Sequence, residues 1–292
     1  MPKRMQIDLS DRTVVITGGS QGIGRATALE FARQGCRVAV AARTEADLQA
    51  TVQDIEKAGG RGMYVVTDLR EKEQIRELVQ RVLQEWGRID VWINNAGVNV
   101  DYDTLMAAEE WVEAIFAVNL EAVYWGMRYA AHAMMSNNGD DGGIIVNVSS
   151  LASEMPTFPR FSLYKATKKA VDILSEGVAL ELAPTSIEVI NVLPGFTATD
   201  FSAHQLGEPA EKGRPTASDW MRIDPSIVAR KIVRAVSAGR SNPRVTVTML
   251  DRIGVWLAEP FTGVVNWMNR RRARGRKLDE PVEKSAHKAP GE

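Results

Sequence analysis

Cysteine is almost missing. Cys36 is the single one in 292 residues, so no internal disulfide can form. It falls in an apolar run, where a buried, inert thiol is the expected role. A charge of one sign is missing as well. Thirty-six Lys and Arg stand against 37 Asp and Glu, and the net charge of -1 gives no long-range attraction for nucleic acid. No apolar run reaches the roughly 18 residues that cross a bilayer, and residues 1–10 lack the apolar core of a secretory signal. These absences predict a cytoplasmic protein. Internal repeats and low-complexity stretches are also lacking, and no metal site is expected.

The composition that remains is ordinary for a globular chain, 45% apolar and 25% charged. Short β-branched runs alternate with longer helical patterns. Strands are expected at 13–17, 37–42, 63–66, 91–93, 144–148, 188–192 and 245–249. Between them, helices are expected at 25–34, closed by Gly35, from Thr44 as a near capping box with Asp47, and at 71–86, 109–135, 164–182 and 224–238. Such alternation predicts an α/β fold: one Rossmann-type, doubly wound parallel sheet with helices on both faces, in a single domain over residues 1–250. In sheets of this kind ligands bind outside the carboxyl ends of the strands.

The chemistry-bearing residues collect at those ends. Gly18, Gly22 and Gly24 follow the first strand, Asp68 the third, Asn94 to Gly97 the fourth, Ser149 and Ser150 the fifth, and Pro194 with Gly195 the sixth. The glycine loop permits a tight turn, and the helix after it offers unpaired N–H groups to a pyrophosphate. Fourteen residues past Ser150 stands Tyr164, with Lys168 one helical turn further on the same face. A nearby ammonium favours a phenolate by about 1 kcal/mol in water and about 4 kcal/mol near a protein surface. That pairing predicts a tyrosine pKa drawn toward about 7, where general acid/base catalysis works best.

The order of these motifs, Thr-Gly-x-x-x-Gly-x-Gly, Asn-Asn-Ala-Gly, Asn, Ser, Tyr-x-x-x-Lys and Pro-Gly, resembles the short-chain dehydrogenase/reductase family over about residues 10 to 250. The resemblance implies catalytic roles for Asn119, Ser150, Tyr164 and Lys168, with Ser149 as a lesser serine candidate. It implies Tyr164 as acid/base, Lys168 as the group lowering its pKa and holding a nicotinamide ribose, and Asn119 as a helix kink that holds a water. For Asn119, a purely structural role in capping a helix distortion coexists with that reading. Dinucleotide contacts are implied for Gly18, Ser20, Gly22, Ile23, Gly24, Asp68, Leu69, Asn95, Ala96, Gly97, Pro194, Gly195, Thr197 and Thr199, besides Tyr164 and Lys168. Asp68 could instead cap the following helix. The family also implies a homodimer or homotetramer.

After the second strand an NAD site usually carries an acid for the ribose 2′-hydroxyl. Here the residues are Ala41, Ala42 and Arg43, and a guanidinium suits a 2′-phosphate, so NADP(H) is favoured over NAD(H). The stretch 196–223 lacks periodicity and is read as a substrate loop, with His204 an exposed residue in it. Leu151, Ser153, Met155, Phe158, Phe161, Phe196 and Phe201 would line a largely apolar pocket for a ketone or secondary alcohol. Residues 251–278 mix aromatic and aliphatic residues ahead of six bases within 270–277. They are read as an amphipathic helical extension that packs near the substrate entrance, with peripheral contact of 251–277 with an anionic membrane as the lesser reading. From 279 to 292 the charged tail is expected to be disordered. Two functions stay open: an NADP(H)-dependent oxidoreductase, and a dinucleotide-binding regulatory or scaffold protein on the same fold. The Ser150, Tyr164 and Lys168 set favours the enzyme, because a binding protein has no use for the phenol.

Overall fold

The structure is a computed structural model that describes residues 7–198, 205–207, 222–239, 244–248, 263, 267–271, 274 and 278–282. Its strands are the β-branched runs. β1 (Thr13–Thr17) is buried at every position, so its sequence is continuously apolar or Thr instead of alternating. In chain order there follow α1 (Gly22–Ala32), β2 (Arg37–Ala42), α2 (Glu45–Lys57), β3 (Arg61–Val66), α3 (Lys72–Trp86), β4 (Val91–Asn94) and α4 (Glu109–Phe116). A π-helical turn, Ala117–Glu121, joins α4 to α5 (Ala122–Asn137). Then come β5 (Gly143–Val148), α6 (Ser162–Glu181), β6 (Ile187–Leu193), α7 (Pro225–Ser237) and β7 (Val245–Thr246).

All seven strands lie in one sheet in the order β3-β2-β1-β4-β5-β6-β7, every pairing parallel. Successive residues of a strand point to opposite faces, so Ile16, Val38 and Val40 meet one helical layer while Val15, Ala39 and Trp92 meet the other. On the first face lie Phe31 of α1, Leu48 of α2 and Ile232 of α7. On the second lie Leu78 of α3, Met127 of α5 and Val171 of α6. Strand order reverses between β1 and β4, the switch point where sheets of this kind form a ligand crevice at the carboxyl ends of their strands.

Several boundaries differ from expectation for local reasons. α1 begins at Gly22, inside the glycine loop, and ends at Ala32. Gly35 is therefore not its cap; it closes a following turn at φ 77°, donating its N–H to Ala32 O. Thr44 precedes α2 without a side-chain capping bond. The long helix expected over 109–135 is interrupted at Asn119, where one extra residue per turn is inserted. Asp68 does not cap α3, whose first flanking residue is Glu71. Asp224 does cap α7, accepting from Ser226 N–H ahead of Pro225.

The expected disordered tail is partly fixed. Asp279 and Asp103 each accept the other's backbone N–H at 2.8 Å, and Val282 N–H bonds Met106 O, because the carboxylates and an apolar side chain find partners on the loop after β4. Thr199, Phe201, His204 and most of 251–277 lie outside the described residues. Among the described residues, no helix is long and apolar enough to cross a membrane, and no group of three or more His, Cys, Asp or Glu could hold a metal ion.

Candidate active site

The glycine loop turns between β1 and α1, pinned by Gly18 and Gly19 N–H bonds to Ala41 O. Gly18 takes φ 65°, and a Cβ there would lie 2.8 Å from Ala96 Cα, so the neighbouring loop leaves room for glycine alone. The loop after β4 braces it. Asn95 Nδ2 donates to Thr17 O and Gly18 O, both at 3.0 Å, and Thr17 Oγ1 accepts from the N–H groups of Asn95 and Ala96. Behind the turn, α1 starts with no side-chain cap and no acid in its first turn. Its free N–H groups and positive dipole end fit the phosphates of a dinucleotide.

At the far end of this cradle, β2 stops at Ala42 and Arg43 projects exposed. Asp68 lies beside it, gripped by Arg70: Nε stands 3.1 Å from Oδ1 and 3.0 Å from Oδ2, and Nη2 2.5 Å from Oδ2. That hydrogen bonding, more than the charge of Arg43, holds the Asp68 carboxyl below its usual range. Asp68 also accepts the Arg70 N–H, an Asx turn in place of the helix cap. Leu69 is buried against the α3 side of the sheet.

The catalytic candidates converge at the end of β5. Ser150 Oγ accepts from Ala152 N–H as the cap of a short 3-10 turn, and its hydroxyl bonds Tyr164. Ser149 Oγ instead donates to Lys168 O at 3.1 Å, while it is the Ser150 hydroxyl that bonds the phenol. Lys168 Nζ donates to Val148 O at 2.9 Å and stands 5.8 Å from the Tyr164 ring centre. The expected fall of the phenol toward neutrality is not what these protein groups produce. Tyr164 is half-buried, yet the atoms around its hydroxyl push it up to about 12, with the Ser150 bond pulling the other way. Burial also draws Lys168 down to about 8, against the charge of Asp172. A charge that is itself costly to hold gives its neighbour little help.

Asn119 is fully buried in the π turn. Its amide brackets Val98, accepting from the N–H at 2.8 Å and donating to the carbonyl at 2.9 Å, with Thr167 Oγ1 at 3.2 Å. It thereby ties the loop after β4 to the face of α6 that carries Tyr164. On the other side, Leu151 N–H donates to Pro194 O, and Thr197 pairs with Ile223. Gly195 O accepts from Thr197 Oγ1. Of the expected pocket wall, Phe158 and Phe161 stack at 4.9 Å, and Phe161 lies 5.1 Å from the Tyr164 ring. Phe196 is exposed and Ser153 is buried, bonding Ser150 O.

Sequence patterns pass over a chain of buried amides beneath the site. Trp92 Nε1 donates to Asn94 Oδ1, Asn94 Nδ2 to Asn147 Oδ1, and Asn147 Nδ2 to Ser175 Oγ. Asp172 likewise takes Asn191 Nδ2 at 2.7 Å, pinning α6 to β6. Each is a polar residue in an apolar strand or helix face, a signal visible in sequence but silent about its partner.

Comparison with known proteins agrees with this fold. A family model described as short chain dehydrogenase matches residues 12–209. The 3beta-hydroxysteroid dehydrogenase 1 of Eggerthella lenta is 34% identical over 207 residues, covering 70% of this chain and 78% of that protein. The 7alpha-hydroxysteroid dehydrogenase of Clostridium sardiniense is 35% identical over 194 residues, 65% of this chain and 72% of that one. A short chain dehydrogenase/reductase of Burkholderia phymatum, solved in complex with NAD, shares the fold with a TM-score of 0.77 at 23% identity, over 95% of this chain and 99% of that one. With a match over most of its length and its catalytic candidates gathered at one crevice, the chain belongs to the short chain dehydrogenase family of oxidoreductases.

Proposed function

We propose that this protein transfers a hydride between the nicotinamide of NADP(H) and a ketone or secondary alcohol of a largely apolar substrate. The observation that carries the reading is the Ser150 to Tyr164 hydrogen bond at the end of β5, with buried Lys168 one turn behind it and the glycine cradle across the same crevice. Bound nicotinamide supplies or accepts the hydride. Tyr164 does the proton chemistry: in reduction its hydroxyl gives a proton to the carbonyl oxygen as the carbonyl carbon gains the hydride. A phenol pushed up to about 12 keeps that proton at neutral pH and is thus loaded as an acid. Ser150 donates to the same oxygen, and Lys168, charged below about 8, steadies the phenolate left behind.

NADP(H) is favoured because Arg43 stands exposed where β2 ends and the strand end itself, Ala41 and Ala42, carries no carboxylate to take a ribose 2′-hydroxyl. The stacked Phe158 and Phe161 beside Tyr164 support an apolar substrate. The two relatives named as hydroxysteroid dehydrogenases make fused-ring alcohols the first to try. A panel of apolar ketones and alcohols, hydroxysteroids included, assayed with both dinucleotides, tests the reading. Dinucleotide binding with no turnover of any member would favour a binding protein on the same fold.

A further inference from the structure

The described piece of the C-terminal tail converges with two other segments on one buried arginine. Arg160 sits four residues before Tyr164 at φ 65°, a left-handed conformation that an arginine adopts only under constraint. Its side chain is 8% exposed. Nε lies 3.1 Å from Asp101 Oδ1 and 3.2 Å from Asp279 Oδ2, close enough for ion pairs though off line for hydrogen bonds, while Nη2 donates to Asp101 O at 2.6 Å. The guanidinium carbon also lies 5.4 Å from the centre of the Tyr102 ring, whose hydroxyl donates to Glu280 O.

Each partner leads to a different wall of the site. Asp101 gives its N–H to Leu206 O, and its carboxylate takes Gln205 Nε2 at 3.3 Å, so it holds a short piece of the substrate loop. Asp279 fixes the tail, and Val282 enters the same apolar cluster as Leu206 and Tyr164. Arg160 itself sets the turn from which Phe161 reaches the Tyr164 ring. Exposed ion pairs of this kind do little, but a guanidinium this buried cannot lose its carboxylates without leaving an uncompensated charge.

We propose that Arg160 is a positioning residue whose clasp on Asp101 and Asp279 locks residues 205–207 and 279–282 into one wall beside Tyr164, and that this wall sets which substrates the site accepts. The kinetic part rests on the proposed function; the coupling between tail and substrate loop does not.

The test uses the full chain, its Arg160→Gln and Arg160→Lys variants, and a chain ending at Leu278. Hydrogen exchange at the Leu206 amide, which donates to Asn99 O, should speed up about tenfold in Arg160→Gln and in the shortened chain. For a bulky fused-ring ketone KM should rise about tenfold, equivalent to about 1.4 kcal/mol, with dinucleotide Kd and the KM of a small ketone within about twofold. Arg160→Lys, keeping charge but losing the fork, should fall between. Unchanged Leu206 exchange in the shortened chain overturns the proposal. So does an equal KM change for both ketones accompanied by a lower Tm, which would mark the clasp as merely structural. If the unaltered chain reduces no ketone, the proposed function fails, and the exchange result alone upholds or overturns the clasp.

Discussion

Asp172 lies one helical turn beyond Lys168 on α6, and both are buried, at 0% and 3% exposure. Burial draws the lysine down to about 8, and the aspartate's charge works against it. Asp172→Asn keeps an oxygen for the Asn191 bond but removes that charge, so the lysine should lose its proton at lower pH still. The alkaline limb of kcat/KM for carbonyl reduction should then start near pH 8 in the parent and move down in the variant. Linkage gives a second readout. Between about 8 and 10.5 the unfolded chain binds a proton that folded Lys168 has lost, so this group's contribution to stability rises with pH through that window, and the variant should widen the window downward. A limb that stays in place would detach Asp172 from the lysine.

Tyr164→Phe should lower kcat by a factor of roughly 10² to 10⁴, the usual worth of a general acid/base, while dinucleotide Kd stays nearly unchanged. It removes one proton and little volume. A variant that kept a tenth of the parent rate on a verified substrate would remove Tyr164 from the proton step. Because burial raises the phenol, its own titration belongs above pH 10, and any stability it lends is complete below that value and lost as pH rises toward 12.

Arg43→Ala should cut the preference for NADPH over NADH by roughly tenfold or more, since a charge-assisted bond to a phosphate is worth about 1.5–3 kcal/mol. The guanidinium is exposed and its removal disturbs no described packing. Equal kcat/KM for the two dinucleotides in the parent would already refute the cofactor choice.

Much of the frame was legible because β-branched runs and turn residues punctuate it. The expected strands 13–17 and 37–42 match β1 and β2 to the residue, since Thr17 ends in a glycine turn and Ala42 in Arg43. Motifs placed at strand ends pointed to the crevice. What stayed hidden was pairing over long distance. Nothing near Arg160 announces Asp279, and a charged, Pro-containing tail reads as solvated until the loop after β4 supplies Asp103 as its partner. The upward push on the phenol was hidden for a similar reason: Tyr164 and Lys168 spacing is local, but burial of both is a property of the assembled site.

The same substitution at two glycines should have opposite effects. At Gly24 a Cβ would collide with Gly18 O and come within 2.5 Å of Asn95 Nδ2. Neither can retreat freely, because Asn95 Nδ2 is bonded to Gly18 O and Thr17 O. Gly24→Ala should therefore weaken dinucleotide binding more than tenfold and lower Tm. Gly177 lies within α6, and a Cβ there meets nothing within 4 Å. Gly177→Ala should raise stability by about 0.5–1 kcal/mol through the lost backbone freedom of the unfolded chain, with kcat and KM unchanged. Denaturant midpoints and dinucleotide titrations on the two variants decide it. An Ala at 24 that binds like the parent would mean the cradle is not built on this close approach, and one at 177 that destabilises would mean the outer face of α6 packs on something further.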